Sequence, residues 1–359
     1  MKIIGLNDTF PSGLATVVTV GNFDGVHRGH ARLIARVTGL ARERGAASVV
    51  VTFEPHTRSV VFPKLSTKLL TTFEEKVSLM EKMGVDYVLR VDFDENFRRM
   101  EQEEFIERVL VDKLGAVGWV MGEGHHVGKN LAGVKKKLHF AAGKYHIDTS
   151  TELLEAADGA AISSTRIRGL VSDGRMGEAA AMLGRPYLIA AERVAGAKIA
   201  TKLGFPTLNF KRPEAMKVVP PAGVYAAEIE IDGKVRGFGG GVDVCGVGGG
   251  SVGGSGADGG NIGGRGGAGD GGIGEEAAGR LIGALYFGDC PTYANRETHF
   301  EFHALRYGGV REPAIGEIVR LWLRRYIRPN TAFSDESALK AQITLDINEI
   351  KQYFLEEVL

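Results

Sequence analysis

The most constraining feature of this sequence is a ten-residue run that leaves an apolar strand. Ala15-Thr16-Val17-Val18-Thr19-Val20 leads directly into Gly21-Asn22-Phe23-Asp24-Gly25-Val26-His27-Arg28-Gly29-His30. The first six residues read as a buried strand, and the amphipathic stretch from His30 to Arg44 reads as a helix, so the run lies on a strand-to-helix turn. Gly25 and Gly29 allow a backbone to approach a ligand closely, and the start of the helix brings its positive end to bear on phosphates. His27 and His30 add imidazole donors. Adenylyl transfer needs this kind of equipment: positioned groups that stabilise charge on the α-phosphate and on departing pyrophosphate, with little covalent work for the protein.

The surrounding pattern predicts a parallel sheet with crossover helices. After the first strand come a strand at Ala47–Phe53, a helix at Phe73–Met83, a strand at Asp86–Val91, a helix at Glu101–Leu114 and a strand at Ala116–Met121. This is a doubly wound α/β arrangement of the Rossmann-like kind, in which ligands sit at the carboxyl ends of strands. Thr52-Phe53-Glu54-Pro55-His56 also follows a strand, which places it on the same rim as Gly21–His30. Short helices run to about Gly184. Beyond it the register changes to short, closely spaced strands (Val224–Ile231, Leu281–Phe287, His299–Leu305), which predict a small antiparallel barrel closed by a last helix from Ser337 to Phe354. The expected division is residues 1–183 and 184–359. Most of the excess among the 51 glycines lies between Gly237 and Gly279, a tract too poor in apolar side chains to join a core and read as a disordered insertion.

Composition narrows the partners. Lys and Arg total 44, as do Asp and Glu, so no global field favours nucleic acid or an anionic membrane, and small charged ligands fit better. Two cysteines, Cys245 and Cys290, are too few for a disulfide framework, and the N-terminus lacks the apolar core of a signal peptide. A cytoplasmic protein is expected.

Gly21–His30 resembles the GxFDxxHxGH signature of the nucleotidylyltransferase superfamily. In the form GNFDGVHRGH it is similar to the bacterial bifunctional riboflavin kinase/FMN adenylyltransferases. Thr52–His56 resembles that family's TFEPH strand end, and Ile162-Ser163-Ser164-Thr165-Arg166-Ile167-Arg168 its ISSTRIR motif. Ser163, Ser164 and Thr165 suit capping of a following helix, and Arg166 and Arg168 offer fork donors for phosphate. The resemblance implies nucleotide contacts at Gly21, Asn22, Phe23, Asp24, Gly25, Gly29, Ser163, Ser164, Thr165 and Arg168, with His27, His30 and Arg166 in the chemistry.

Gly184-Arg185-Pro186-Tyr187 resembles the GRPY that opens the family's riboflavin kinase part, and Gly204-Phe205-Pro206-Thr207-Leu208-Asn209 its GFPTAN motif. The hard oxygens of Thr207 and Asn209 suit Mg²⁺ bridging ATP phosphates. The resemblance further implies that Glu301 is the base for a substrate hydroxyl, and that Gly196, Lys198, Gly204, Pro206 and Arg328 contact nucleotide or flavin. ATP, riboflavin and FMN are then the substrates, and Mg²⁺ the cofactor. Two loops depart from the pattern. Gly122–Asn130 lacks an aspartate and an aromatic, and its His125-His126 pair lacks further metal ligands. Ala200 and Thr201 replace a glycine and a basic residue, where a Cβ at a position needing positive φ would weaken ATP binding. A chain with FMN adenylyltransferase activity alone, or a non-enzymatic flavin sensor, would carry the same departures.

Overall fold

The computed structural model describes residues 1–64, 68–123, 140, 142–153, 156–157, 160–196, 199–231, 280–290, 295–306 and 311–357. The Gly237–Gly279 tract, His125-His126 and Lys198 lie outside the described residues. The first half is a six-stranded parallel sheet in the order β1-β4-β3-β2-β5-β6, with β1 Lys2–Gly5, β2 Thr16–Val20, β3 Ala47–Glu54, β4 Tyr87–Asp92, β5 Ala116–Gly122 and β6 Asp148–Glu152. Strands β2 and β3 are almost wholly buried runs of valine, threonine and serine, because helices cover both faces of a parallel sheet. From β2 the chain steps to β3 and β4 on one side and later to β5 and β6 on the other, so the strand order reverses at β2. A crevice opens at the carboxyl end of such a strand.

Helix α1 (Arg28–Glu43) buries Ile34, Val37, Thr38 and Ala41 against the sheet. After the short α2 (Thr57–Val61), α3 (Phe73–Lys82) begins with a capping box in which Thr72 and Glu75 satisfy each other's backbone amides. Two sequence expectations are corrected. Strand β1 precedes the strand read as first; it is a four-residue edge strand with two exposed residues, too short and too wet to show a period. The helix expected over Glu101–Leu114 is present but changes type, a single α turn, α5 (Gln102–Phe105), running into a π-helix at Ile106–Lys113, and a further short helix, α4 (Glu95–Arg99), precedes it.

A two-residue ladder, β7 (Ala156–Ala157) with β8 (Ala160–Ala161), precedes α6 (Ser164–Ser172) and α7 (Met176–Leu183). Gly184 ends α7 in the left-handed region at φ 74°. Then comes a closed antiparallel barrel, β10-β13-β12-β11-β14-β9, from β9 Tyr187–Val194, β10 Leu208–Phe210, β11 Gly223–Glu230, β12 Arg280–Cys290, β13 Asn295–Arg306 and β14 Ile318–Pro329, with α8 (Ile199–Lys202) between β9 and β10. Helix α9 (Glu336–Glu356) covers its outer face, where Ile350 and Phe354 meet Val224 and Ala226.

The two halves share their cores. Leu188 and Trp322 of the barrel pack with Phe23, Val26 and Ile34, the side chains beneath the Gly21–His30 turn. Leu70, α6 and α7 pack into the barrel's own core alongside Tyr187, Tyr225 and Leu323. Apolar side chains buried this fully stabilise by about 1.5–3 kcal/mol each. The halves are therefore joined by core packing.

Candidate active sites

The turn after β2 is a strained backbone held from several sides. Phe23, Gly25 and Val26 have φ of 49°, 81° and 39°, the last unusual for a β-branched residue. Gly25 has no room for a side chain, because a Cβ there would stand 2.8 Å from Leu70. Asp24 is buried; its Oδ1 accepts the amides of Leu70 (2.9 Å) and Thr71 (3.1 Å), and its Oδ2 accepts Arg168 Nη2 at 2.7 Å. Ser164 Oγ donates to the Asp24 carbonyl at 2.9 Å, so the start of α6 is tied to this turn. Asp24 and Arg168 thus spend their charges on one another within the frame of the turn.

His27 caps α1, its Nδ1 accepting the His30 amide at 3.4 Å, and the two imidazoles stack 3.6 Å apart at 17°. With Nδ1 an acceptor, the neutral ring carries its proton on Nε2 and can donate it outward. Burial pushes the His27 pKa down to about 4, against a smaller opposing pull from Asp24, so the ring is neutral at pH 7. Phe23 lies edge-on to His30. Beside it, Asn22 accepts the Thr57 amide (3.1 Å) and donates to the Thr57 hydroxyl (2.9 Å), linking this turn to the end of β3.

At the end of β3, after a cis peptide to Pro55, His56 caps α2, and burial also lowers its pKa to about 4. Burial raises the Glu54 carboxyl. Both line a cavity of about 250 Å³ with Arg90, Thr72, Glu214 and Lys217, and the last two come from the connection between β10 and β11 of the barrel. Lys76, unassigned from sequence, donates from beneath to the Asn22 carbonyl and the Thr52 hydroxyl, both at 3.0 Å, and burial lowers its pKa. Its signal was present: Lys76 occupies the same face of α3 as Phe73, Val77 and Met80, where an apolar residue belongs. Across the turn, Ser163 caps α6 by accepting the Arg166 amide, while Thr165 is exposed and Arg166 half-buried. A larger hollow of about 780 Å³ flanks β1 at the far sheet edge and shares only Arg90 with these residues.

The second site lies on the outside of the barrel beneath α9. A cavity of about 130 Å³ is lined by Thr207, Glu301, His303, Arg328, Phe333 and Ile343, among others. Thr207 Oγ1 donates to Glu301 Oε2 at 3.3 Å, and Asn209 pairs with Glu301 across β10 and β13. Gly196 passes so close to Asn209 that any Cβ would overlap its amide. The Pro206 carbonyl lies 2.9 Å from His303 Nδ1, and Gly204 takes φ 92°. Arg328 grips Asp346 of α9 with Nη2 and Nε at 2.8 Å and lies over the Phe333 ring. Ala200 and Thr201 both lie in α8 and neither has positive φ, so the expected backbone penalty at Ala200 does not arise.

The FAD synthetase family matches residues 11–166, and the riboflavin kinase family matches residues 183–354. The bifunctional riboflavin kinase/FMN adenylyltransferase of Pseudomonas fluorescens is 34% identical over 230 residues, 64% of this chain and 73% of that protein. The chain belongs to this bifunctional family. The member from Escherichia coli K12 is 29% identical over 338 residues, 94% of this chain and 92% of its own, and that from Buchnera aphidicola 28% identical over 362 residues, 99% of each. The crystal structure of a macrolide-efflux protein from Streptococcus pneumoniae superimposes with a TM-score of 0.71 over 96% of this chain and 97% of its own; at 21% identity this is a likeness of fold. The family's two matched segments stop and restart on either side of residues 167–182, most of α6 and α7, the helices packed into the barrel core. Among the described residues no helix is long and apolar enough to cross a membrane.

Proposed function

We propose that this chain makes FAD from riboflavin in two ATP-dependent steps. In the barrel, the riboflavin 5′-hydroxyl attacks the γ-phosphorus of ATP, its proton passes to Glu301, and ADP leaves with FMN as product. At the turn after β2, an FMN phosphate oxygen attacks the α-phosphorus of a second ATP, the α–β bridging bond breaks, and pyrophosphate departs as FAD forms. The observation that carries the reading is the capped, stacked His27–His30 pair at the start of α1, on the rim where the strand order reverses. Outward-facing donors there meet charge that develops during adenylyl transfer.

For adenylyl transfer we assign His27 and His30 to the α- and β-phosphates, with Gly21, Asn22, Phe23, Gly25, Gly29, Ser163, Ser164 and Thr165 forming the nucleotide cradle and Arg166 reaching outward to phosphate. Asp24 and Arg168 hold the cradle's shape through their 2.7 Å ion pair. For phosphorylation, Gly196, Gly204 and Pro206 shape the nucleotide side, and Arg328, fixed by Asp346, shapes the flavin side. The hydroxyl of Thr207 and the amide oxygen of Asn209 are hard oxygens that suit Mg²⁺. Mg²⁺ bound with ATP would neutralise phosphate charge at this place. ATP, riboflavin and FMN are thus the partners, and a reducing cytoplasm is the natural setting for a chain with two cysteines.

The test supplies riboflavin, ATP and Mg²⁺ to the purified protein and follows FMN and FAD. Asn209→Ala should abolish formation of FMN and spare conversion of supplied FMN to FAD. His30→Ala should do the reverse. A protein that makes neither product from riboflavin or from FMN sinks the assignment.

A further inference from the structure

Resting on the adenylyl-transfer reading of the Gly21–His30 turn, the geometry points to Arg185, at the start of the barrel module, as a positioning residue for that reaction in the other half of the molecule. Its Nη1 donates to the Val26 carbonyl at 2.8 Å and to the Leu183 carbonyl at 3.1 Å, and its Nη2 donates to the Gly25 carbonyl at 2.5 Å. Gly25 and Val26 are two of the three positive-φ positions in the turn, at 81° and 39°. A backbone in this region persists only where its surroundings over-determine it. The guanidinium fork binds the two successive carbonyls that such a backbone turns away from the sheet, and the next residue, His27, is the cap of α1.

The path by which Arg185 arrives there is built into the chain. Gly184, left-handed at φ 74°, ends α7 and reverses the backbone, with Arg28 of the turn packed against it. Burial lowers the Arg185 pKa to about 10, which leaves the side chain fully cationic at neutral pH. Its cost in solvation is met by three carbonyls, and among the described residues no carboxylate hydrogen-bonds to it. A partly buried arginine placed on backbone carbonyls, 159 and 160 residues away in sequence, fixes geometry more than charge.

The opposite side of the turn is held from the barrel half as well. Thr71 Oγ1 accepts the Gly25 amide at 3.0 Å, and the amides of Leu70 and Thr71 fix Asp24. That strap is itself paired to the connection between β10 and β11 of the barrel: Leu69 donates to the Met216 carbonyl at 2.6 Å, Val218 donates to the Leu69 carbonyl at 2.8 Å, and Lys217 Nζ holds the Leu70 carbonyl at 2.7 Å. The adenylyl-transfer turn is therefore gripped on its carbonyl side by Arg185 and on its amide side by a strap anchored at 216–218. The barrel half completes the first active site besides carrying the second.

The experiment compares wild type with Arg185→Ala and Arg185→Lys in the full chain, measuring FMN adenylylation, riboflavin phosphorylation and the thermal midpoint. Displacing His27 and His30 by about 1 Å lowers turnover about a hundredfold. Arg185→Ala is expected to show that loss in kcat for FAD formation, with riboflavin phosphorylation within about twofold of wild type. Millimolar guanidinium, which refills the fork, should restore part of the lost turnover, and methylammonium at equal concentration should not. Should Arg185→Ala give no folded protein, Arg185→Lys decides, with adenylylation reduced and phosphorylation kept. Adenylylation at the wild-type rate in the folded variants overturns the inference, as does a parallel fall of both activities without guanidinium rescue. A wild-type protein that makes no FAD from FMN strikes at the functional reading and leaves Arg185 out of account.

Discussion

Replacing Lys217 by Met tests the joint between the two halves at its most demanding point. Lys217 is completely buried, and its ammonium donates to Glu75, to the Leu70 carbonyl at 2.7 Å and to the Leu188 carbonyl at 2.8 Å. Glu75 is equally buried and also accepts the amides of Thr72 (3.0 Å) and Ala190 (2.6 Å). Burial lowers the Lys217 pKa, with Glu75 as the main opposing influence. Methionine keeps the stem and most of the volume, which separates charge loss from cavity formation. The carboxylate would keep two amides and lose its counter-charge, and breaking a buried pair in this way costs about 3–5 kcal/mol. For a chain of this size that corresponds to a fall on the order of 5 °C in thermal midpoint.

A cycle with Glu75→Gln isolates the interaction. In the Lys217→Met background, Glu75→Gln removes the stranded charge and should return roughly 2 kcal/mol, whereas on its own it should destabilise. Urea unfolding at pH 7.5, followed by near-ultraviolet dichroism, gives all four free energies. A Lys217→Met variant within about 1 kcal/mol of wild type, or strictly additive costs in the double variant, would refute the view that this pair carries the joint.

Stability should also drain on acidification: unfolded His27 titrates at 6.5 and the folded ring at about 4, so the unfolded chain binds the extra proton between them and stability present above 6.5 is lost below it. At pH 5 the loss from His27 is about 2 kcal/mol, and His27→Gln should flatten the measured pH slope; an unchanged slope would remove burial of this ring as its cause. Gly25→Ala should abolish FAD formation and cost about 1–3 kcal/mol, because φ is 81° and Leu70 blocks the Cβ. Gly29→Ala, whose Cβ would meet only the His27 ring at 3.4 Å, should unfold near the wild-type midpoint, and equal destabilisation of the two variants would contradict the geometry. Glu301→Gln should lower riboflavin phosphorylation by about 10²–10⁴ and leave conversion of FMN to FAD intact, as coupled product assays would show.

Three elements of the fold were missed or misread, each for its own physical reason. Strand β14 alternates only through Val319, Leu321 and Leu323, with Arg320 and Arg324 between and beyond them; Arg325 then falls on the apolar register and Arg328 adds a fourth charge. Its charges are absorbed by Glu228, Glu230, Glu349 and Asp346, carboxylates brought alongside by β11 and α9. An arginine-rich strand is legible only once its partners are known. Strand β1 gave no signal because four edge residues cannot establish a period, and the π-helix at Ile106–Lys113 keeps the apolar positions of an ordinary helix while changing the hydrogen bonds between them.

By itself the sequence determined the two chemistries and the class of each half. Those depend on residue type and short spacing: imidazoles and glycines in one turn, hard oxygens around Pro206–Asn209, valine runs that must be buried on both faces. For Glu75, Lys217 and Arg185, tertiary structure alone decided that the charge works inside the protein. Glu75 and Lys217 are 142 residues apart, and Arg185 lies 160 residues from the Gly25 carbonyl it binds. Nothing in a local window distinguishes such side chains from solvated ones, because the energy that selects them, desolvation offset by a partner, exists only after two distant surfaces have closed on each other.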